Sequence, residues 1–183
     1  HVLYECLQAK HVVTGYNFHF GKNRQGDTDF LAHKARELNF GFIAHPEVMT
    51  SAGEAISSSR IRALLSEGKI EDAGAMLGRP YAIDGRVTRG KQRGKNMGFP
   101  TINLSLARRF KPRFGVYAGR VRLSKDKKPY DAAINIGLNP TFSLTEPVLE
   151  AHCLDLSRDV YGAYAEVELL SFLRDEKKFP SVK

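Results

Sequence analysis

At 183 residues and 42% hydrophobic content, the chain has room for one large globular domain or two small ones, and no apolar run approaches the ~20 residues of a membrane helix. The net charge of +8 is lopsided: residues 1–78 carry 8 basic and 9 acidic groups, net −1, and residues 79–183 carry 20 and 11, net +9. A basic half suits a phosphate-bearing partner, nucleotide or nucleic acid, while two distant cysteines, Cys6 and Cys153, fit free thiols in a reducing cytoplasm rather than a metal motif or a disulfide framework.

Taken in order, residues 2–9 have a helical look, with Leu3 and Leu7 four apart. His11-Val12-Val13-Thr14-Gly15 reads as a short strand. It runs into the loop Gly15-Tyr16-Asn17-Phe18-His19-Phe20-Gly21, the kind of place where open α/β sheets hold ligands. Phe30, Leu31, Ala35 and Leu38 predict a helix, and Phe42-Ile43-Ala44 a second strand stopped by Pro46. Ser57 or Ser58 is a good N-cap for a helix bearing Ile61, Leu64 and Leu65 and ending at Gly68. A second amphipathic helix carries Ile70, Ala73, Met76 and Leu77, closed by Gly78 and Pro80. Serines at a helix N-terminus with two arginines make either an anion site or simply a capped helix.

Tyr81, Ile83, Gly85 and Val87 alternate as the first strand of a new region. A loop follows that holds Gly85, Gly90, Lys91, Arg93, Gly94, Lys95 and Gly98. Its glycines let the backbone approach a ligand closely, and its cations suit a polyphosphate. It is not a Walker loop, because Gln92 stands where a magnesium-binding hydroxyl is needed. Pro100 biases Phe99 towards an extended backbone. Thr101 and Asn103 then point to one face, ~7 Å apart, where a hydroxyl and an amide oxygen can flank one hydrated magnesium ion. Residues 116–123 alternate cleanly, residues 130–136 form another strand, and residues 148–154 place Glu150 and His152 opposite Leu149, Ala151 and Cys153. Ala165, Val167 and Leu169 mark the last strand. Short strands at near-regular spacing predict a small β-barrel.

The run Gly98-Phe99-Pro100-Thr101-Ile102-Asn103-Leu104 resembles the signature of riboflavin kinases. That resemblance implies a six-stranded Greek-key barrel in which Thr101 and Asn103 bind magnesium and ATP phosphates. Ile102 stands where the family usually has Ala, on the side facing away from the metal. Asn139-Pro140-Thr141-Phe142, Glu150-Ala151-His152 and Asp159-Val160-Tyr161-Gly162 resemble the same family's catalytic segment, with Glu150 as general base and His152 as a strand-pairing residue. The segment from Phe172 to Phe179 is similar to its Phe-x-Arg-x-Glu-x-x-Phe element, which makes Arg174 the candidate flavin contact. Upstream, Gly-Tyr-Asn-Phe-x-Phe-Gly and Ile-Ser-Ser-Ser-x-Ile-Arg resemble the latter part of bacterial FMN adenylyltransferases. There Ser58, Ser59 and Arg62 would hold ATP phosphates, and Asn17 would sit where Asp or Asn occurs. The family's His-x-Gly-His motif does not occur among these 183 residues.

The expected fold is therefore α/β plus all-β. Residues 1–78 would be the trailing part of a Rossmann-like nucleotidyltransferase domain, with some apolar surface left exposed, and residues 79–183 a riboflavin kinase β-barrel. The expected substrates are ATP, riboflavin and FMN, with Mg2+ and with no nucleic-acid or membrane partner. FMN would be made by the kinase half, and FAD only by a complete protein with its native upstream segment; the resemblance also implies a long helix following residue 183. Two other classes stay open. A basic nucleic-acid-binding barrel would present exposed aromatics for base stacking, whereas Tyr117 and Phe99 fall at core-like positions. A flavin-binding regulator would keep the barrel and lose the base or the metal residues.

Overall fold

The computed structural model describes residues 1–89, 101–107, 109–141 and 144–177, which divide into two compact units, His1–Ile56 and Ser57–Lys183. In the first unit, strand β1 (His11–Gly15) pairs in parallel with β2 (Gly41–His45), from His11 opposite Gly41 to Gly15 opposite His45. Helix α1 (Thr28–Leu38) makes the crossover. The Asp27 carboxylate caps it by accepting a 2.8 Å bond from the Phe30 N–H, and Asn39 ends it in a left-handed conformation. Leu31 and Ala35 are its buried residues. The helix expected over residues 2–9 is a single π-helical turn, Val2–Cys6, with no buried side chain. Leu3 and Leu7 are both exposed, so no packed face extends that turn.

The second unit opens with helices α2 (Ser58–Glu67) and α3 (Ile70–Leu77). Ser57 is the α2 cap, its hydroxyl accepting from the Arg60 N–H at 3.2 Å, and Gly68 and Gly78 end the two helices at positive φ. Six strands follow: β3 (Tyr81–Arg86), β4 (Thr101–Ser105), β5 (Gly115–Leu123), β6 (Tyr130–Thr141), β7 (Leu144–Cys153) and β8 (Tyr164–Arg174). They lie in the order β3-β8-β5-β6-β7-β4, with every neighbouring pair antiparallel. The two edges meet at one bridge, where Thr88 donates its N–H and its hydroxyl to the Asn103 carbonyl at 2.9 and 3.1 Å. The sheet is thus a partly closed six-stranded barrel.

Its core is built from alternate residues. Tyr117, Gly119, Val121 and Leu123 of β5 point inward, while Arg120 and Arg122 point out to Asp131 and Glu168 at 3.2 and 2.9 Å. Leu65, Ile70 and Ala73 from the two helices join the same core as Ile83, Tyr117 and Leu169. By packing, then, the division falls between Ile56 and Ser57, upstream of the family boundary expected at 78/79. Two short amphipathic helices must bury their apolar faces, and the barrel supplies the surface.

Candidate active site

Pairing register assembles the site. On β4 and β7, Thr101 stands opposite His152, and Asn103 opposite Glu150. Across β7 and β6, Glu150 faces Asn135 and His152 faces Ala133. Asn135 faces Val116 on β5, and Val116 faces Arg174 on β8. One cross-strand row therefore reads Asn103, Glu150, Asn135, Val116, Arg174. The row beside it reads Thr101, His152, Ala133, Ala118, Ser171. Directly paired residues share a face, so the expected metal residues, the expected base and the expected flavin contact all belong to the outer side of one continuous sheet. At ~4.8 Å per strand, Arg174 lies roughly 14 Å from Glu150 along the row. The ground between them is Asn135, next to Glu150, and the small apolar side chains of Val116, Ala118 and Ala133.

Thr101 and Asn103 are joined directly. The Asn103 amide nitrogen donates to the Thr101 hydroxyl and to the Thr101 carbonyl, each at 3.3 Å. Asn103 is only 5% exposed, the buried polar side chain of the core among the described residues. Ile102 and Leu104 point into the barrel, at 2% and 1% exposure, so Ile102 does face away from that pair. In this arrangement the amide nitrogen faces the hydroxyl; a half-turn of the amide presents two neutral oxygens side by side. That donor set fits magnesium, which takes few protein oxygens and keeps its remaining positions for phosphates and water. Among the described residues no cluster of three His, Cys, Asp or Glu side chains has the geometry to hold a metal alone. Glu150 is half-buried beside this pair.

Arg174 reaches the outer face through two irregularities in β8. Register shifts occur between Ala118 and Gly119 and between Val116 and Tyr117 of the partner strand. The first turns Phe172 inward, where its ring meets Tyr117 edge-on at 5.3 Å. The second turns Arg174 back out, opposite Val116. Burial raises the Tyr117 hydroxyl to a pKa of about 12, and that hydroxyl donates to the Arg113 carbonyl.

Gly85 lies in β3, with Leu104 and Arg109 side chains nearby. The rest of the basic loop, Gly90, Lys91, Arg93, Gly94, Lys95 and Gly98, lies outside the described residues. Where β3 leads towards that loop, a cavity of 610 Å³ is lined by Arg86, Lys125, Arg158, Tyr161 and Tyr164 among others. Arg89 sits over the Tyr161 ring at 5.5 Å. Sequence reasoning did not single out this cavity; its one signal was the Asp159-Val160-Tyr161-Gly162 run. Asn135 was likewise missed, because nothing local marks an asparagine as the partner of Glu150. Beside the cavity, Asp84 accepts from the Tyr164 hydroxyl and from Arg109 at 2.9 Å, and these two bonds, the tyrosine first, hold its carboxyl below the usual range.

The upstream candidates are split between the two units. Ser58, Ser59 and Arg62 lie exposed in the first turns of α2, where backbone N–H groups have no partner within the helix. Asn17 is exposed in the loop after β1.

The chain is matched by two family models: riboflavin kinase over residues 77–183, and FAD synthetase over residues 1–60. It is 37% identical over 182 residues to the bifunctional riboflavin kinase/FMN adenylyltransferase of Escherichia coli, with 99% of this chain and 57% of that protein aligned. The protein of the same description from Haemophilus influenzae is 39% identical over 176 residues, 96% of this chain and 56% of its own length. The chain thus spans under three-fifths of these curated relatives. A crystal structure described as a macrolide-efflux protein from Streptococcus pneumoniae shares the fold with a TM-score of 0.75 at 32% identity, over 99% of this chain and 59% of that one.

Proposed function

The chain belongs to the riboflavin kinase family, and we propose that its second unit moves the γ-phosphoryl group of ATP onto the ribityl 5′-hydroxyl of riboflavin. The observation that carries this reading is the row Asn103, Glu150, Asn135, Val116, Arg174 on one face of the sheet. Phosphoryl transfer asks mainly for positioning and charge stabilisation, plus a base for the attacking alcohol. Glu150 is that base: its carboxylate accepts the hydroxyl proton as the alcohol attacks. Thr101 and Asn103 would hold magnesium, which supplies charge neutralisation on the phosphate oxygens when bound. Val116, Ala118 and Ala133 offer small apolar ground for the flavin ring, with Asn135 on the side of Glu150 and Arg174 on the side away from it. With the ring on that ground, the ribityl chain points towards Glu150. Gly85, Gly90, Lys91, Arg93, Gly94, Lys95 and Gly98 would cover the phosphates, and the cationic cavity at Arg86 and Tyr161 suits the remainder of the nucleotide.

For the upstream region we propose ATP-phosphate binding at Ser58, Ser59 and Arg62, and a nucleotide-binding role for Asn17, serving FMN adenylylation in a protein of the relatives' full length. Both reactions belong in the cytoplasm, where ATP and free thiols coexist. The deciding experiment is incubation of the protein with riboflavin, ATP and magnesium, followed by separation of the flavins. FMN is expected, and removal of magnesium should abolish it. Tight riboflavin binding without FMN would favour the regulator instead.

A further inference from the structure

Arg113 lies outside the rows described above, in the stretch between β4 and β5, yet it makes five separate contacts besides the bond its carbonyl accepts from Tyr117. Its Nε and Nη2 donate to the two carboxylate oxygens of Asp175 at 2.9 and 3.0 Å. Its Nη1 donates to the Glu67 carbonyl at 3.2 Å, and its backbone N–H to the Leu65 carbonyl at 2.9 Å. Its guanidinium carbon lies 4.9 Å from the centre of the Phe172 ring. Only a planar fork can do this. It meets a carboxylate two-pronged, stacks on an aromatic face and keeps an N–H for a carbonyl, which a lysine ammonium cannot combine. A cation at the α2 C-terminus also meets the negative end of the helix dipole.

Two glycines clear space for the arrangement. A Cβ on Gly68, already at φ +81, would come within 3.1 Å of the Arg113 side chain. One on Gly115 would lie 2.4 Å from the Arg174 carbonyl and 2.7 Å from the Phe172 ring. The residues that Arg113 grips, Phe172 and Asp175, stand on either side of Arg174, just where the second register shift re-aims it. We propose that Arg113 is a positioning residue for riboflavin: it locks the end of β8 against the C-terminus of α2 and so fixes the direction of Arg174. The proposal rests on reading Arg174 as the flavin contact.

The test uses riboflavin binding by fluorescence quenching, together with separate kinetics for each substrate. Arg113→Ala should weaken riboflavin binding about tenfold, the loss expected for a charged hydrogen-bonding group. It should leave kcat at saturating riboflavin within about twofold of the parent and the KM for ATP unchanged. Arg113→Lys should behave more like the alanine variant than like the parent. Asp175→Ala should reproduce the defect and add little to Arg113→Ala, as contacts in one network do. A fall in kcat with riboflavin affinity intact, or full additivity of the pair, overturns the clamp. Arg174→Ala reads the underlying assignment by itself. If that variant binds riboflavin as the parent does, the flavin role of Arg174 fails, and amide exchange then decides the clamp. Faster exchange at residues 172–176 in Arg113→Ala upholds it; unchanged protection overturns it.

Discussion

The two faces of β4 and β7 are made from alternate residues of the same ten or so positions, and they serve different ends. Inward, Ile102, Leu104, Leu149, Ala151 and Cys153 are all between 0% and 2% exposed and pack the barrel. Burial there raises the Cys153 thiol to a pKa of about 11, so it behaves as a small hydrophobe. Outward, Thr101, Glu150 and His152 are half-buried and polar. Period-two geometry lets stability and chemistry vary separately on one strand. Asn103 is the exception. It belongs to the outer row, yet the Thr88 bridge and its bonds to Thr101 bury it, so both demands meet at one side chain.

Substitutions can break that separation or sharpen it. The largest effect is expected from Glu150→Gln, which keeps the shape and removes the proton acceptor. FMN formation should fall ~10²–10⁴-fold, with riboflavin binding and melting temperature near those of the parent. A rate within a few-fold of the parent would move the base elsewhere, and His152 would be next. Ile134→Ala on the inner face should do the reverse. It should cost about 2–5 kcal/mol of stability in denaturant titration while the folded fraction keeps its turnover. Ile43→Ala, at a site 60% exposed in the first unit, should stay within about 0.5 kcal/mol. Asn103→Ala should register on both scales. At least about a tenfold loss of FMN formation is expected, with weaker magnesium-ATP binding, together with about 1 kcal/mol from the lost buried hydrogen bonds.

The smallest effect belongs to Asp84. Its folded-state pKa is depressed below the ordinary 3.8, chiefly by the Tyr164 hydroxyl and then by Arg109. Such a group contributes stability that is complete above the unfolded value and lost as pH falls through the folded one. Asp84→Asn should therefore lower the melting temperature slightly at neutral pH and make no difference in strong acid. A gap that persists undiminished in acid would show that packing, not ionisation, sets it.

The same contrast explains what could be read from the residues beforehand. Alternation in β5 and β7, the Ser57 cap and the stops at Gly68 and Gly78 were legible because each depends on neighbours in sequence. Pairing register was not. That Glu150 meets Asn135, and that Val116 meets Arg174, depends on strands brought together over long sequence separations. The packing of α2 and α3 was hidden for the same reason: amphipathicity says that a face must be buried, not against what. The first unit shows the opposite case. Val2, Val13, Phe18, Phe30, Ile43 and Val48 are all at least 41% exposed there, and two of them, Val13 and Ile43, stand on the parallel pair, a kind usually covered on both sides. The apolar surface expected in the upstream region is found in His1–Ile56.

The two register shifts in β8 have a consequence for how this strand can change length. Each acts as a frameshift in side-chain parity, and the second compensates the first. Leu170 and Leu173 are the residues that stand opposite nothing on β5. Deleting either one removes its shift and leaves Ser171 opposite Ala118, Phe172 opposite Tyr117 and Arg174 opposite Val116, so the strand can shorten here with every face kept. Adding one residue between Leu169 and Arg174 without a further shift turns every later side chain over. Losses of length at these two positions should thus be tolerated for folding, and single gains should not.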